Sequence, residues 1–304
     1  MTARKSTLRV SAYALVAVAL WGLAFPLIQI GLESFSPVML GFVRFVLASS
    51  LMAVVVLVRY PLRMISEALR NEWKPLLALG VLYVTIPNIA QNMGLEHGTS
   101  SIASVIQSSG PVMTLFFAVI LLKERLTRMK GLGTAVAMTG TILLVASVGI
   151  SFENEDFVSN ILILISAASY GLAWVSAKRM IARNPPILII GLSLVIGTGL
   201  LGLALPFESD SMFVITGDSV LNLLFLGFLC AGMSSVLYLS SLEHEEVSKM
   251  AFFIYLMPVF ASLFAWILRD EGVAPWTVFC GLIIVIGIVI ANRDMSGKNM
   301  AAQQ

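Results

Sequence analysis

Apolar runs of about 20 residues recur along this chain from residue 10 to residue 292, and that recurrence restricts the fold more than any single motif. A helix of ~20 residues rising 1.5 Å each crosses the ~30 Å hydrocarbon core of a bilayer. Water is absent from that core, so only helices and closed barrels can satisfy their own backbone groups there. A barrel would show short alternating segments instead of continuous apolar runs. Composition points the same way: 58% of the 304 residues are hydrophobic, 12% are charged and mean hydropathy is +0.94. Soluble domains carry about 25% charged residues. The chain therefore reads as an all-α integral membrane protein.

Charged and Pro/Gly-rich breaks divide the runs into ten predicted transmembrane helices: 10–32, 37–58, 75–95, 99–122, 131–150, 158–181, 186–206, 219–242, 247–268 and 274–292. The first run is longer than the roughly 7–15-residue core of a secretory signal and leads straight into further spans, so it reads as a helix. Ten spans put both termini on one side. Seventeen of the nineteen Lys and Arg residues then share the N-terminal side, Arg269 lies opposite, and Arg44 falls inside the second span. Positive charge favours the cytoplasm. The expectation is a multi-pass protein of the plasma (inner) membrane with both termini cytoplasmic.

Several functions are excluded at this level. The longest connection, RYPLRMISEALRNEWK, has sixteen residues, too few for a soluble ATPase domain, and no GxxxxGK[ST] phosphate loop occurs. GTGLLG at 197–202 matches GxGxxG but lies mid-span with no preceding strand, so close helix packing explains it better than dinucleotide binding. Cys230 and Cys280 sit in apolar runs without a CxxC neighbour, and His97 and His244 lie apart in connecting segments. No metal, disulfide, cofactor or nucleic-acid partner is expected; the net charge of +2 by itself says nothing about nucleic acid.

The chain also repeats itself. In SGPVMTLFFAVILLKERL (109–126), Pro111 precedes Glu124 by thirteen residues, and Gly140 follows sixteen later. In YLMPVFASLFAWILRDEG (255–272), Pro258, Glu271 and Gly287 keep the same spacing, 147 residues on. WGLAF at 21–25 is echoed by YGLAW at 170–174 after 149 residues. Each half holds five predicted spans, an odd number, so the second copy enters the membrane upside down. The expected organisation is two inverted five-helix repeats, 1–150 and 151–304. Such halves suit alternating access to a site near the midplane.

ALWGLAFPLIQIGL, SPVMLGFVRF and PVMTLFFAVILLKERL–x6–GLGTAVAMTGTILL, echoed by YGLAWVSAKRMI and MPVFASLFAWILRDEG, resemble the EamA family of the drug/metabolite transporter superfamily. The resemblance covers nearly the whole chain. It implies a ten-helix transporter whose third, fourth, eighth and ninth helices, with parts of the first and sixth, surround a central cavity. It further implies export of small metabolites, often amino acids, as in YddG-type exporters. The second copy has Asp270–Glu271 where Gly–Glu is typical.

Polar residues inside spans mark cavities or helix contacts. In the third span Thr85, Asn88 and Gln91 or Asn92 form one stripe at helical spacing, next to Pro87. In the fourth, Ser104, Gln107, Ser108, Pro111 and Thr114 share a face. Asn88, Gln91, Gln107 and Ser108 are candidate substrate-binding residues, with interhelical bonding the alternative. Trp21, Tyr83, Tyr170, Trp174, Tyr238 and Tyr255 supply candidate aromatic walls, with packing the alternative. Arg44 is expected to satisfy helix-end carbonyls or to snorkel; the alternative is pairing with a substrate carboxylate. Lys249, near the end of the ninth span, attracts anions or pairs with Glu245 or Glu246. No Asp or Glu lies deep in a span, so transport is either uncoupled or uses an interfacial carboxylate such as Glu33 or Glu96.

The expected function is export of a small-molecule substrate, an amino acid or similar metabolite, with the lipid bilayer as surroundings. Alternatives are a carrier of drugs or other metabolites and a membrane-embedded enzyme; the latter lacks paired intramembrane carboxylates or a His cluster. The chain is expected to act as a monomer or homodimer; Gly133, Gly140, Gly281 and Gly287 could pair two copies or pack within one.

Overall fold

The computed structural model describes residues 2–122, 128–148, 154–208, 212–242, 253–254 and 256–301. These residues form helices joined by short connections, together with one isolated bridge between Phe35 and Phe213. Seven helical stretches are long and apolar enough to cross a membrane: Ser11–Leu32, Pro37–Arg59, Trp73–His97, Ser100–Leu121, Glu155–Ala177, Pro186–Phe207 and Gly217–Ser241. Three shorter apolar helices accompany them, Gly131–Leu144, Met257–Arg269 and Pro275–Gly287.

The first two spans are unbroken helices, α1 (Thr2–Leu32) and α2 (Pro37–Arg59). Pro37 suits the start of α2, where the backbone N–H it lacks would have no partner. The sixteen-residue connection contains a helix of its own, α3 (Leu62–Asn71). Ile65 and Ala68 are its buried positions, whereas Leu62, Met64 and Leu69 are exposed beside an Arg63–Glu67 ion pair. That division into faces suits a helix lying along a bilayer surface.

The third span is α4 (Trp73–Gly80), a π segment (Val81–Thr85) and α5 (Ile86–His97). The fourth is α6 (Ser100–Gln107), a turn at Ser108–Ser109 and α7 (Gly110–Leu122). Then follow α8 (Arg128–Val145), α9 (Glu155–Ile181) and α10 (Pro186–Gly202). The next span is α11 (Gly217–Leu224), a second π segment (Phe225–Met233) and α12 (Ser234–Leu242). The last helices are α13 (Met257–Arg269) and α14 (Pro275–Ala301). Of the predicted ninth span, 247–252 and Tyr255 lie outside the described residues, and so do Lys249, Glu124 and His244.

Backbone features recur at the offset seen in the sequence. Both α7 and α13 have 13 residues and start just before Pro111 and Pro258, and adding 147 to the limits of the first gives those of the second. The π segment at 81–85, moved by the same 147, falls inside the one at 225–233.

Glycines make the packing close. A Cβ on Gly22 would stand 2.6 Å from Phe260 Cβ on α13, and one on Gly171 would stand 2.8 Å from Met113 Cβ on α7. Gly80 meets Gly197 of α10, and Gly227 meets Leu47 of α2. Gly140 of α8 lies against Cys280 and Ile284, and Gly287 of α14 lies against Gly133 and Ala137. Within one chain, therefore, Gly140 and Gly287 already serve the α8–α14 contact, the second of the two alternatives drawn from sequence.

Five connections meet at one end of the bundle. The Arg269 guanidinium donates to Glu33 at 2.8 Å, and the Glu271 carboxylate accepts from the Ser100 and Ser101 amides at 3.2 and 2.9 Å. Glu208 accepts from Ser36 Oγ and the Val38 and Met39 amides, at the N-terminus of α2. His97 lies 3.6 Å from Glu155. A carboxylate facing unpaired amides at a helix start also meets the positive end of the helix dipole. This acidic end is thus drawn together by contacts between segments more than 50 residues apart in sequence.

Candidate functional site

The residues that could meet a solute lie mid-bundle, where α2, α5, α9 and the two π segments converge. A π turn admits an extra residue per turn, so side chains there leave the register of the surrounding helix. Tyr83 stands in the first π segment and Cys230 in the second, 147 residues apart. The Tyr83 ring packs edge-on against Tyr170, centroids 5.6 Å apart, and against Trp174 at 5.9 Å. Trp21 packs against Tyr238 at 4.8 Å, and both Trp21 and Trp174 pack on the cluster of Ala14, Ala17 and Tyr238. Five of the six aromatics singled out from sequence thus form one connected wall; the sixth, Tyr255, lies outside the described residues.

The polar candidates divide into two groups. Asn88 is fully buried, its Nδ2 donates to the Val84 carbonyl at 2.6 Å, and its Oδ1 has no hydrogen-bond partner. The Tyr170 hydroxyl neighbours Asn88, and the Tyr83 hydroxyl neighbours Ser235. Gln91 and Gln107 are buried on α5 and α6, and Gln107 Oε1 has no partner. By contrast, Ser104, Ser108 and Thr114 donate to carbonyls of their own helical turns, Ser101, Ser104 and Gly110. Thr85 donates to Gly197 at 3.2 Å and Asn92 to Pro37 at 2.8 Å, so both tie neighbouring helices together.

Arg44 departs from its sequence expectation. It neither snorkels nor bonds helix-end carbonyls through Nε or Nη1: only 6% of its surface is exposed, and both atoms lack a partner. Its guanidinium stands 5.3 Å from the centroid of the Phe45 ring and neighbours Tyr170 and Cys230. No carboxylate among the described residues pairs with it. The intramembrane arginine was visible in the sequence; its lack of a counter-ion was not, because that depends on which helices surround it.

A cleft of about 390 Å³ lies at the end opposite the acidic one, lined by Glu72, Pro75, Ser176, Met180 and Arg183. Ser176 and Met180 belong to the same helix as Tyr170 and Trp174, α9. A second groove, of about 600 Å³, runs over the acidic end past Phe35, Ser36 and Glu208.

With this geometry in place, comparison with known proteins is informative. The model of the EamA-like transporter family matches twice, over residues 8–146 and 158–293. A protein of Archaeoglobus fulgidus named as an uncharacterized transporter is 28% identical over 287 residues, covering 91% of this chain and 96% of its own. A Streptantibioticus cattleyicolor protein named "Probable terminal-alkyne amino-acid exporter" is 24% identical, covering 94% of each chain. One crystal structure shares the fold with a TM-score of 0.66 at 20% identity, covering 93% of this chain and 96% of that one.

Proposed function

The chain belongs to the EamA-like transporter family, and on that premise we propose that it exports small organic metabolites, amino acids foremost, by alternating access to the aromatic and amide-lined centre. It does so as ten membrane helices in two inverted halves, 1–150 and 151–304, in the inner membrane with both termini cytoplasmic. The seven long helices supply seven of the ten, and the three shorter apolar helices supply the fifth, ninth and tenth.

The observation that carries this reading is recurrence at one offset. The 13-residue helices α7 and α13, the π segments and the pairings of Gly22 with α13 and Gly171 with α7 all recur after 147 to 149 residues. Two halves built alike and packed reciprocally can exchange conformations, which opens the centre to one side and then the other. The connections of the acidic end are tied to one another by hydrogen bonds and ion pairs that such an exchange would have to break and remake. The relative named as an amino-acid exporter supports the substrate class.

The test is counterflow into proteoliposomes preloaded with unlabelled amino acids, using labelled threonine, methionine and phenylalanine with and without a pH gradient. Uptake without a gradient is the expected result and identifies facilitated exchange. Uptake only with a gradient assigns proton coupling to Glu33 or Glu96. Absence of amino-acid counterflow would overturn the amino-acid reading and direct the search to drugs and other metabolites.

A further inference from the structure

A buried guanidinium without a counter-ion costs several kcal/mol unless something compensates it. Arg44 is more than nine-tenths buried, and two of its donors, Nε and Nη1, are unpartnered. On the other side of Tyr170 an unmatched acceptor completes the pattern. Tyr170 neighbours both Arg44 and Asn88, and Asn88, whose Nδ2 is held by the Val84 carbonyl, keeps Oδ1 unbonded at zero exposure. Orphaned donors and an orphaned acceptor thus flank one tyrosine, in a membrane interior where water cannot satisfy either. Ser104, Ser108 and Thr85 donate to carbonyls within the protein; Asn92 Oδ1 and Gln107 Oε1 are also unbonded, and of these acceptors Asn88 is the one that neighbours Tyr170.

We propose that Arg44 and Asn88 are the two poles of a zwitterion site: Arg44 receives the substrate carboxylate, and Asn88 Oδ1 accepts from the substrate ammonium. The inference rests on the transport reading and deepens it by assigning the two residues that hold the charged groups of the amino acid. A planar guanidinium matches a carboxylate with two parallel hydrogen bonds, and charge-assisted bonds of this kind are about twice as strong as neutral ones. One arginine, with no second cation beside it among the described residues, suits a monocarboxylate better than a phosphate dianion. Tyr170 neighbours both poles, and Tyr83, 5.6 Å from it and 5.9 Å from Trp174, continues the aromatic surface available to the substrate side chain. The orphaned atoms are also a reason for the site to be less stable when empty than when filled, since a site shaped for its ligand holds unsatisfied groups in its absence.

Ligand-induced thermal stabilisation of the purified full-length protein tests this independently of transport. The ligands are the twenty amino acids, phenylalaninamide, N-acetylphenylalanine and benzoate, on wild type, Arg44→Lys, Arg44→Gln, Arg44→Met and Asn88→Leu. At least one amino acid should raise the melting temperature of wild type, and its carboxamide and N-acetyl forms should raise it less. Arg44→Gln should weaken that amino acid about 10- to 100-fold, and Arg44→Lys should weaken it less. Asn88→Leu should weaken the amino acid and leave benzoate unchanged. Ligand-free Arg44→Met should melt above wild type, because it removes a buried unpaired charge; a structural arginine would instead melt lower on removal. The proposal is overturned if no carboxylate stabilises wild type, or if folded Arg44→Gln binds the amino acid as wild type does. Counterflow of other solutes by a protein that no carboxylate stabilises would leave the transport reading standing and remove this one.

Discussion

At the scale of single residues, two kinds of position matter, those that pack backbone against backbone and those left without partners. Gly287 is of the first kind: a Cβ there would lie 2.4 Å from the Ala137 amide nitrogen and 2.6 Å from the Gly133 carbonyl oxygen. Backbone cannot yield as a flexible side chain does, so Gly287→Ala should lower stability by about 1–3 kcal/mol, read as a fall in melting temperature. Gly199, also inside a helix, has nothing within 4 Å of its Cβ position, and Gly199→Ala should be neutral or slightly stabilising. Sequence spacing singled out Gly140 and Gly287 without distinguishing contact inside the chain from contact between copies. The aromatic wall was similarly half legible. Residue types and membrane depth marked Trp21, Tyr83, Tyr170, Trp174 and Tyr238, but the serines of the fourth span carried the same polar signal and proved to bond their own helical turns.

At the scale of elements, the broken helices are the main departure from a sequence reading in uniform spans. Neither π segment has a residue that announces it; Val81–Thr85 and Phe225–Met233 read as ordinary apolar helix. The extra residue shifts the register between the two ends of a span, so stripes drawn at 3.6-residue spacing fail across it. This explains why Thr85 and Asn88, assigned to one stripe, serve different neighbours, α10 and α9. Pro111 and Pro258 were visible, and the break just before each follows from proline's effect on the residues ahead of it. The short helix α6 depends on its start. Thr99 Oγ1 accepts from the Ile102 amide, while Glu271 accepts from the Ser100 and Ser101 amides. Glu271→Ala should speed hydrogen exchange at the Ser100–Ser104 amides and cost on the order of 1 kcal/mol. Glu33→Gln, which breaks an ion pair whose members are 31% and 65% exposed, should change stability by less than about 1 kcal/mol.

At the scale of the whole molecule, length and apolar runs were enough to read a helical membrane protein, and seven of the ten predicted spans coincide with long apolar helices. Helix ends moved by a few residues, and α3 lies in a connection whose two buried positions, Ile65 and Ala68, form too short a pattern to stand out. The contacts of the acidic end could not be foreseen, since its hydrogen bonds join segments as distant as Ser36 and Glu208. If the basic residues face the cytoplasm, single cysteines replacing Arg63 and Asp218 should label with impermeant maleimide from opposite sides of the membrane. Labelling of both from one side would contradict the orientation.

Alternating access, as proposed above, would expose the site beside Arg44 to each side of the membrane in turn. Cys230, the neighbour of Arg44, is a native reporter. Cys280 is buried against α8, where Gly140 packs on its carbonyl, and can be removed as Cys280→Ser. The decisive measurement is the rate at which an anionic, impermeant methanethiosulfonate modifies Cys230 in right-side-out and inside-out vesicles, with and without a transported amino acid. Modification from both sides, slowed at least several-fold by the amino acid in each case, is the predicted result. Modification from one side only, or at rates the amino acid leaves unchanged, would contradict the account.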